Sequence, residues 1–80
     1  MGRSPQPLAV AAAFGSRVRK RRQDLAWSIE HLAEQSGLHW TYVGSVERGE
    51  RNISLVNICK LAAALDVAVA ELMKGLEREL

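Results

Sequence analysis

Residues 28–49 read SIEHLAEQSGLHWTYVGSVERG, two short stretches of helical periodicity, each closed by a glycine. Ser28 is a good N-cap, because its hydroxyl can accept a first-turn backbone N–H that no carbonyl reaches. Trp27 before it and Leu32 four positions after it are spaced as a hydrophobic staple, which predicts a helix from about Ile29 to Gln35. Gly37 supplies the left-handed conformation that ends this helix, and Leu38 beyond it can fold back as the usual apolar contact. A second helix from about Trp40 to Arg48 ends at Gly49 by the same device. Ala33 is small where the second helix must cross the first closely, and Leu38, Val43 and Val46 fill the angle between them. These are the spacings of a tight helix-turn-helix.

At about 100° per residue, the helix from Trp40 turns Val43, Val46 and Glu47 inward and Thr41, Ser45 and Arg48 outward, with Tyr42 and Gly44 on its flanks. The outward face is polar, short-chained and interrupted by glycine. Such a face suits a DNA major groove, where hydroxyls and an arginine meet base edges and a glycine permits close approach. The other reading is a plain helical hairpin whose polar face meets only solvent.

Outward from this pair the chain reads helical throughout. Phe14, Val18 and Leu25, at offsets 0, 4 and 11, place a first helix from about Leu8 to Asp24, with arginines opposite. Ser54 caps a fourth, in which Leu55, Ile58, Cys59, Ala62 and Leu65 share a face at offsets 0, 3, 4, 7 and 10, making Cys59 a small core residue. A fifth starts near Val69, with Val69, Leu72, Met73, Leu76 and Leu80 at offsets 0, 3, 4, 7 and 11. The expected fold is all-α, a compact five-helix bundle over residues 8–80, preceded by a disordered tail, Met1 to Pro7, that contains two prolines.

Eighty residues with 48% hydrophobic and 25% charged content describe one small domain and exclude multidomain enzymes. At roughly 1.5 kcal/mol of ordering entropy per residue, such a chain has little margin without a staple or a second subunit. The single cysteine makes no internal disulfide, and with two distant histidines it closes no tetrahedral zinc site. A homodimer is therefore expected, with the C-terminal stripe Val69, Leu72, Met73, Leu76 and Leu80 supplying much of a two-fold interface. No apolar run approaches the ~18 residues of a membrane span and no signal peptide is recognisable, so the expected location is cytoplasmic. Charge is uneven: residues 16–24 hold Arg17, Arg19, Lys20, Arg21 and Arg22 against Asp24, whereas residues 66–80 are net acidic. With no nucleophile–base pair or metal cluster, no enzyme and no cofactor is expected.

The stretch from Phe14 to Leu72 resembles the lambda-repressor/Cro-like (XRE) helix-turn-helix family. The resemblance runs through Arg22, Ser28, Leu32-Ala33, Ser36-Gly37-Leu38, the run Thr41 to Gly49, Asn52-Ile53-Ser54 and Leu61-Ala62. Thr41-Tyr42, Glu47-Arg48-Gly49 and Arg51 to Ser54, in a chain that ends right after its fifth helix, look most like the controller proteins of restriction-modification systems. The resemblance implies a transcriptional regulator on double-stranded DNA, autoregulatory and homodimeric on an inverted-repeat operator, with RNA polymerase a further partner. Stand-alone or phage-type repressors and antitoxins are the rival readings. With no sensing domain after the motif, control is expected through concentration and dimerisation.

The resemblance also assigns residues. Base-reading positions are Trp40, Thr41, Tyr42 and Ser45, with Arg48 a candidate. An inward Glu47 is costly unless paired, and the family pairs it with Arg22, whose remaining donors can reach a phosphate. Ser28 with the start of its helix forms one phosphate site, and Arg51, Asn52 and Ser54 another. Arg17 is the helix-one arginine expected to reach the DNA backbone. Three departures stand out: Ile29 where the family has a phosphate-contacting glutamine, His31 where a capping box has Glu or Gln, and Trp40 where controllers carry a base-reading arginine. An indole cannot read guanine bidentately, so the target sequence should differ.

Overall fold

The Ser28 hydroxyl accepts the His31 N–H at 3.0 Å and opens a helix spanning Ile29–Ser36. Gly37, at φ 74°, closes it, and the N–H groups of Gly37 and Leu38 both donate to the Ala33 carbonyl. The next helix, Trp40–Glu47, ends through Gly49 at φ 78°, with Gly49 N–H on the Val46 carbonyl and Glu50 N–H on that of Ser45. A side chain at residue 49 would also collide with Ala12 across the fold, its Cβ 2.7 Å from the Ala12 Cα. Turn chemistry and close packing therefore demand glycine at the same place.

The computed structural model describes the backbone of residues 6–80 and the side chains of residues 9–80. In chain order the helices are α1 (Gln6–Asp24), α2 (Ile29–Ser36), α3 (Trp40–Glu47), α4 (Leu55–Ala64) and α5 (Val69–Met73), followed by a 3-10 turn, Leu76–Glu79. No strand occurs among the described residues. Helix α1 begins two residues before the expected Leu8, since Pro7 is tolerated in a first turn whose N–H groups are unpaired anyway. The expected tail is otherwise outside the described residues. Val18 of α1, Leu32 of α2, Val43 and Val46 of α3, and Leu61 and Leu65 at the end of α4 are the largest fully buried side chains. They bring the helix-turn-helix, its preceding helix and α4 around one core.

Two sequence expectations need correction here. Helix α4 turns Ile58, Leu61, Ala62 and Leu65 inward, while Leu55, Val56 and Cys59 are exposed. Its sequence is apolar almost all round, so periodicity alone picks no unique face. The fifth helix does not run on to Leu80. It stops after five residues, and Gly75 takes a left-handed φ of 75° that starts the 3-10 turn. After this break Leu76 lies in the core with Leu72, and Leu80 is exposed. Leu72 and Leu76 are thus core side chains, not exposed parts of an interface.

Gly15 is a close-approach site that periodicity does not reveal. A Cβ there would meet backbone carbonyl oxygens of α3, lying 2.7 Å from that of Glu47. This glycine lets α1 lie directly on the C-terminal half of α3 and fixes the position of the helix that carries the candidate site.

Candidate nucleic-acid interface

Glu47 is on the buried face of α3, its side chain 4% exposed, and Arg22 reaches it from the last turn of α1. Arg22 Nε donates to one carboxylate oxygen at 2.7 Å and Nη2 to the other at 2.9 Å, while Nη1 donates to the Trp27 carbonyl at 2.8 Å. The fork-to-fork geometry satisfies both charges. The carboxylate's hydrogen bonds raise the Arg22 pKa above its ordinary value; burial works against them and the Coulomb attraction of Glu47 and Glu30 adds to them. The expected ion pair is present, and it ties α1, the α1–α2 joint and α3 together. Three of the five guanidinium N–H groups are committed, and Arg22 still borders a groove with Ile29, Glu30, Trp40, Thr41, Gly44 and Arg48.

The exposed side of α3 begins with Trp40, 54% exposed and stacked on His39 with centroids 5.9 Å apart. His39 caps the helix: its Nδ1 accepts the Thr41 N–H at 3.2 Å. With that nitrogen an acceptor, the Thr41 hydroxyl is the donor in the 2.7 Å contact between them, and its oxygen keeps acceptor capacity on an exposed residue. Arg48 is exposed and forms a bidentate pair with Glu50, Nε to one oxygen at 2.9 Å and Nη2 to the other at 3.2 Å. That hydrogen bonding, with the charge attraction behind it, raises the Arg48 pKa and lowers that of Glu50.

Ser45 is not on the outward face. It is 5% exposed; its hydroxyl donates to the Tyr42 carbonyl at 2.7 Å and accepts from Arg51 Nε at 3.0 Å. The segment after Gly49 folds back over it, a tertiary contact that a helical projection cannot foresee. Arg51 also lies over the Tyr42 ring, 5.6 Å from its centroid, and Asn57 of α4 donates to the Tyr42 hydroxyl at 3.2 Å. Tyr42 is therefore held from two sides.

The candidate phosphate groups divide. Ser28 and Ser54 are exposed at the starts of α2 and α4, each accepting a first-turn N–H, and Asn52 is exposed beside Arg51. Arg17 is turned elsewhere: its Nη1 donates to the Leu72 carbonyl at 3.0 Å, and Arg21 Nε donates to that of Leu65 at 3.0 Å. Five residues on a helix turn the chain by about 140°, so Arg17 faces α5 while Arg22 faces α3. Arg17 is half-buried, with one of its N–H groups committed within the protein. Glu50 and Asn57 were not singled out by the sequence. Opposite charges flanking Gly49 were a legible signal for Glu50; nothing local marks Asn57.

A family model described as helix-turn-helix matches residues 18–72, which contain the Arg22–Glu47 pair, both glycine stops and the capped α4. The chain belongs to the helix-turn-helix family. Within it, this regulator is 50% identical over 64 residues to control protein C.SmaI of Serratia marcescens, covering 78% of this chain and 76% of that one. It is 40% identical over 67 residues to control protein C.MunI of a Mycoplasma species, covering 82% and 90%. The crystal structure of the restriction-modification controller protein C.AhdI from Aeromonas hydrophila superposes with a TM-score of 0.76 at 55% identity, covering 78% of this chain and 94% of that one. The sequence resemblance to XRE-type regulators, and to controllers among them, is met. The described residues of this helix-turn-helix regulator include no helix long and apolar enough to cross a membrane.

Proposed function

We propose that this helix-turn-helix protein is a sequence-specific, homodimeric regulator of its own transcription unit, acting as the controller of a restriction-modification system. The observation that carries the reading is the exposed start of α3, Trp40 and Thr41 with Arg48, on a helix locked to α1 by the buried Arg22–Glu47 fork. A recognition helix must be rigidly held while its polar face is free, and this pair of features supplies both. Ser28, Arg51, Asn52 and Ser54 are exposed and suit phosphate contacts, which set register and salt dependence. Arg22 has two N–H groups left for the same use. The likeness to control proteins supports the restriction-modification role.

The two-fold partner is a second copy of the chain. The exposed apolar surface available to it is Leu55 and Val56 of α4 with Leu80, and Val69 and Met73 are only partly buried. A dimer spacing two α3 helices about 34 Å apart reads an inverted repeat with one helical turn between half-sites. Activation from such a site works through contact with RNA polymerase, in the cytoplasm where the gene is transcribed.

The test is selection from a random-sequence duplex pool, with sedimentation equilibrium on the same preparation. The account expects enrichment of an inverted repeat with half-site centres about 10 bp apart, and a dimer in solution. A pool that stays random, or a monomer selecting single half-sites, overturns it.

A further inference from the structure

Ser45, Arg51, Tyr42 and Asn57 form one linked cluster at α3, in which Ser45 holds Arg51 and Asn57 holds Tyr42. Ser45 is 5% exposed and its hydroxyl is already both donor, to the Tyr42 carbonyl, and acceptor, from Arg51 Nε. Asn57 is half-buried and donates one amide hydrogen to the phenol oxygen. Arg51 keeps its four Nη hydrogens, and Tyr42 keeps its O–H hydrogen, because its oxygen is the acceptor of the Asn57 bond. Both outer groups keep donor hydrogens, Tyr42 on the helix that carries exposed Thr41 and Arg51 just after that helix.

We infer that Ser45 and Asn57 are positioning residues for DNA binding, Ser45 acting through Arg51 and Asn57 through Tyr42, so that both outer groups present hydrogen-bond donors to acceptor-only DNA oxygens. The inference rests on the DNA-binding reading above. Its chemistry is specific. A guanidinium held at Nε over an aromatic ring has lost most of its side-chain freedom before DNA arrives, so its contact costs less ordering. A phenol whose oxygen is already an acceptor selects phosphate or base acceptors and is a poor match for the amino groups of adenine or cytosine. Ser45 therefore contributes affinity and salt dependence and reads no base.

The experiment uses fluorescence anisotropy with a duplex enriched by the wild-type protein and a scrambled duplex of equal length, over a salt series. Ser45→Ala should weaken binding to both duplexes by about three- to tenfold, the weight of one hydrogen bond, and leave their ratio unchanged. The slope of log Kd against log salt should fall by up to about 0.9, one phosphate contact. In an Arg51→Ala background Ser45→Ala should change binding by less than about twofold, and Asn57→Ala should be equally silent in a Tyr42→Phe background. Melting curves identify any variant that loses its fold; Asn57→Ala keeps the Ser54 cap, which uses the backbone N–H of residue 57. Loss confined to the enriched duplex makes Ser45 a base reader and overturns the inference, as does an undiminished effect in the Arg51→Ala background. If the wild-type protein enriches no duplex, the DNA-binding reading itself has failed.

Discussion

Replacing Glu47 by glutamine tests how the recognition helix is held. The carboxylate receives two hydrogen bonds from Arg22, at 2.7 and 2.9 Å, on side chains only 4% and 11% exposed. Glutamine keeps one acceptor oxygen but turns an NH2 group toward a guanidinium donor, so one charge-assisted bond is lost and a buried cation loses its counter-charge. The expected cost is about 3 kcal/mol. An 80-residue domain has roughly 4–12 kcal/mol in total, so this is a large fraction. At about 4–8 °C per kcal/mol, the melting temperature should fall by roughly 12–24 °C. The assay is thermal unfolding by circular dichroism at one fixed protein concentration, because a dimer's Tm depends on concentration. Arg22→Met combined with Glu47→Leu should be less damaging than either single change, since both charges leave together; the Trp27 carbonyl then lacks its donor, a residual cost of about 1–3 kcal/mol. A Glu47→Gln Tm within about 3 °C of wild type, or a double variant no better than the singles, refutes the reasoning.

Three further outcomes follow from particular contacts. Gly15→Ala gains about 1 kcal/mol of helix propensity yet drives a methyl into α3 carbonyl oxygens, so unfolding should show a net loss of at least about 2 kcal/mol; a neutral or stabilised variant contradicts the close crossing. Ala26 is held at φ 58°, where an L-residue is strained by about 1–2 kcal/mol, so Ala26→Gly should raise the melting temperature by a few degrees; a lowered value shows that the joint is not strained. Glu50 has a depressed pKa in the folded chain, caused first by its hydrogen bonds from Arg48. Its contribution to stability is therefore present above the ordinary 4.5 and lost as pH falls through the lowered value. An NMR titration should find Glu50 below 4.5 in the wild type and back near it in Arg48→Ala; equal values in both remove the pair.

The helix-turn-helix was legible because its stops are local: a serine cap, a glycine at each helix end and apolar positions at helical spacing are all read within a few residues. The inward Glu47 was also visible, since a carboxylate among valines asks for a cation, and family resemblance named Arg22. Ser45 was misplaced because burial there comes from Arg51 folding back, which no rotation of an isolated helix contains. The internal bond of Arg17 is illegible for a similar reason: its partner, the Leu72 carbonyl, is remote in sequence and meets it only once α5 is packed. Helix α4 failed differently. Leu55 and Cys59 are as apolar as Ile58 and Leu61, so the pattern allowed two faces and tertiary packing chose one. The stop at Gly75 is not legible because one continuous helix would also place Leu72 and Leu76 together in the core, although the helix is broken between them at a left-handed glycine.

The most direct test of the central claim is an electrophoretic shift on the DNA just upstream of the protein's own gene, with random competitor and a salt series. Wild-type protein should give a discrete shift that survives competitor, and Thr41→Ala should lose it while keeping weak, salt-sensitive binding to any DNA. Diffuse binding that vanishes in moderate salt, or a Thr41→Ala variant that shifts as well as wild type, would contradict base reading by α3.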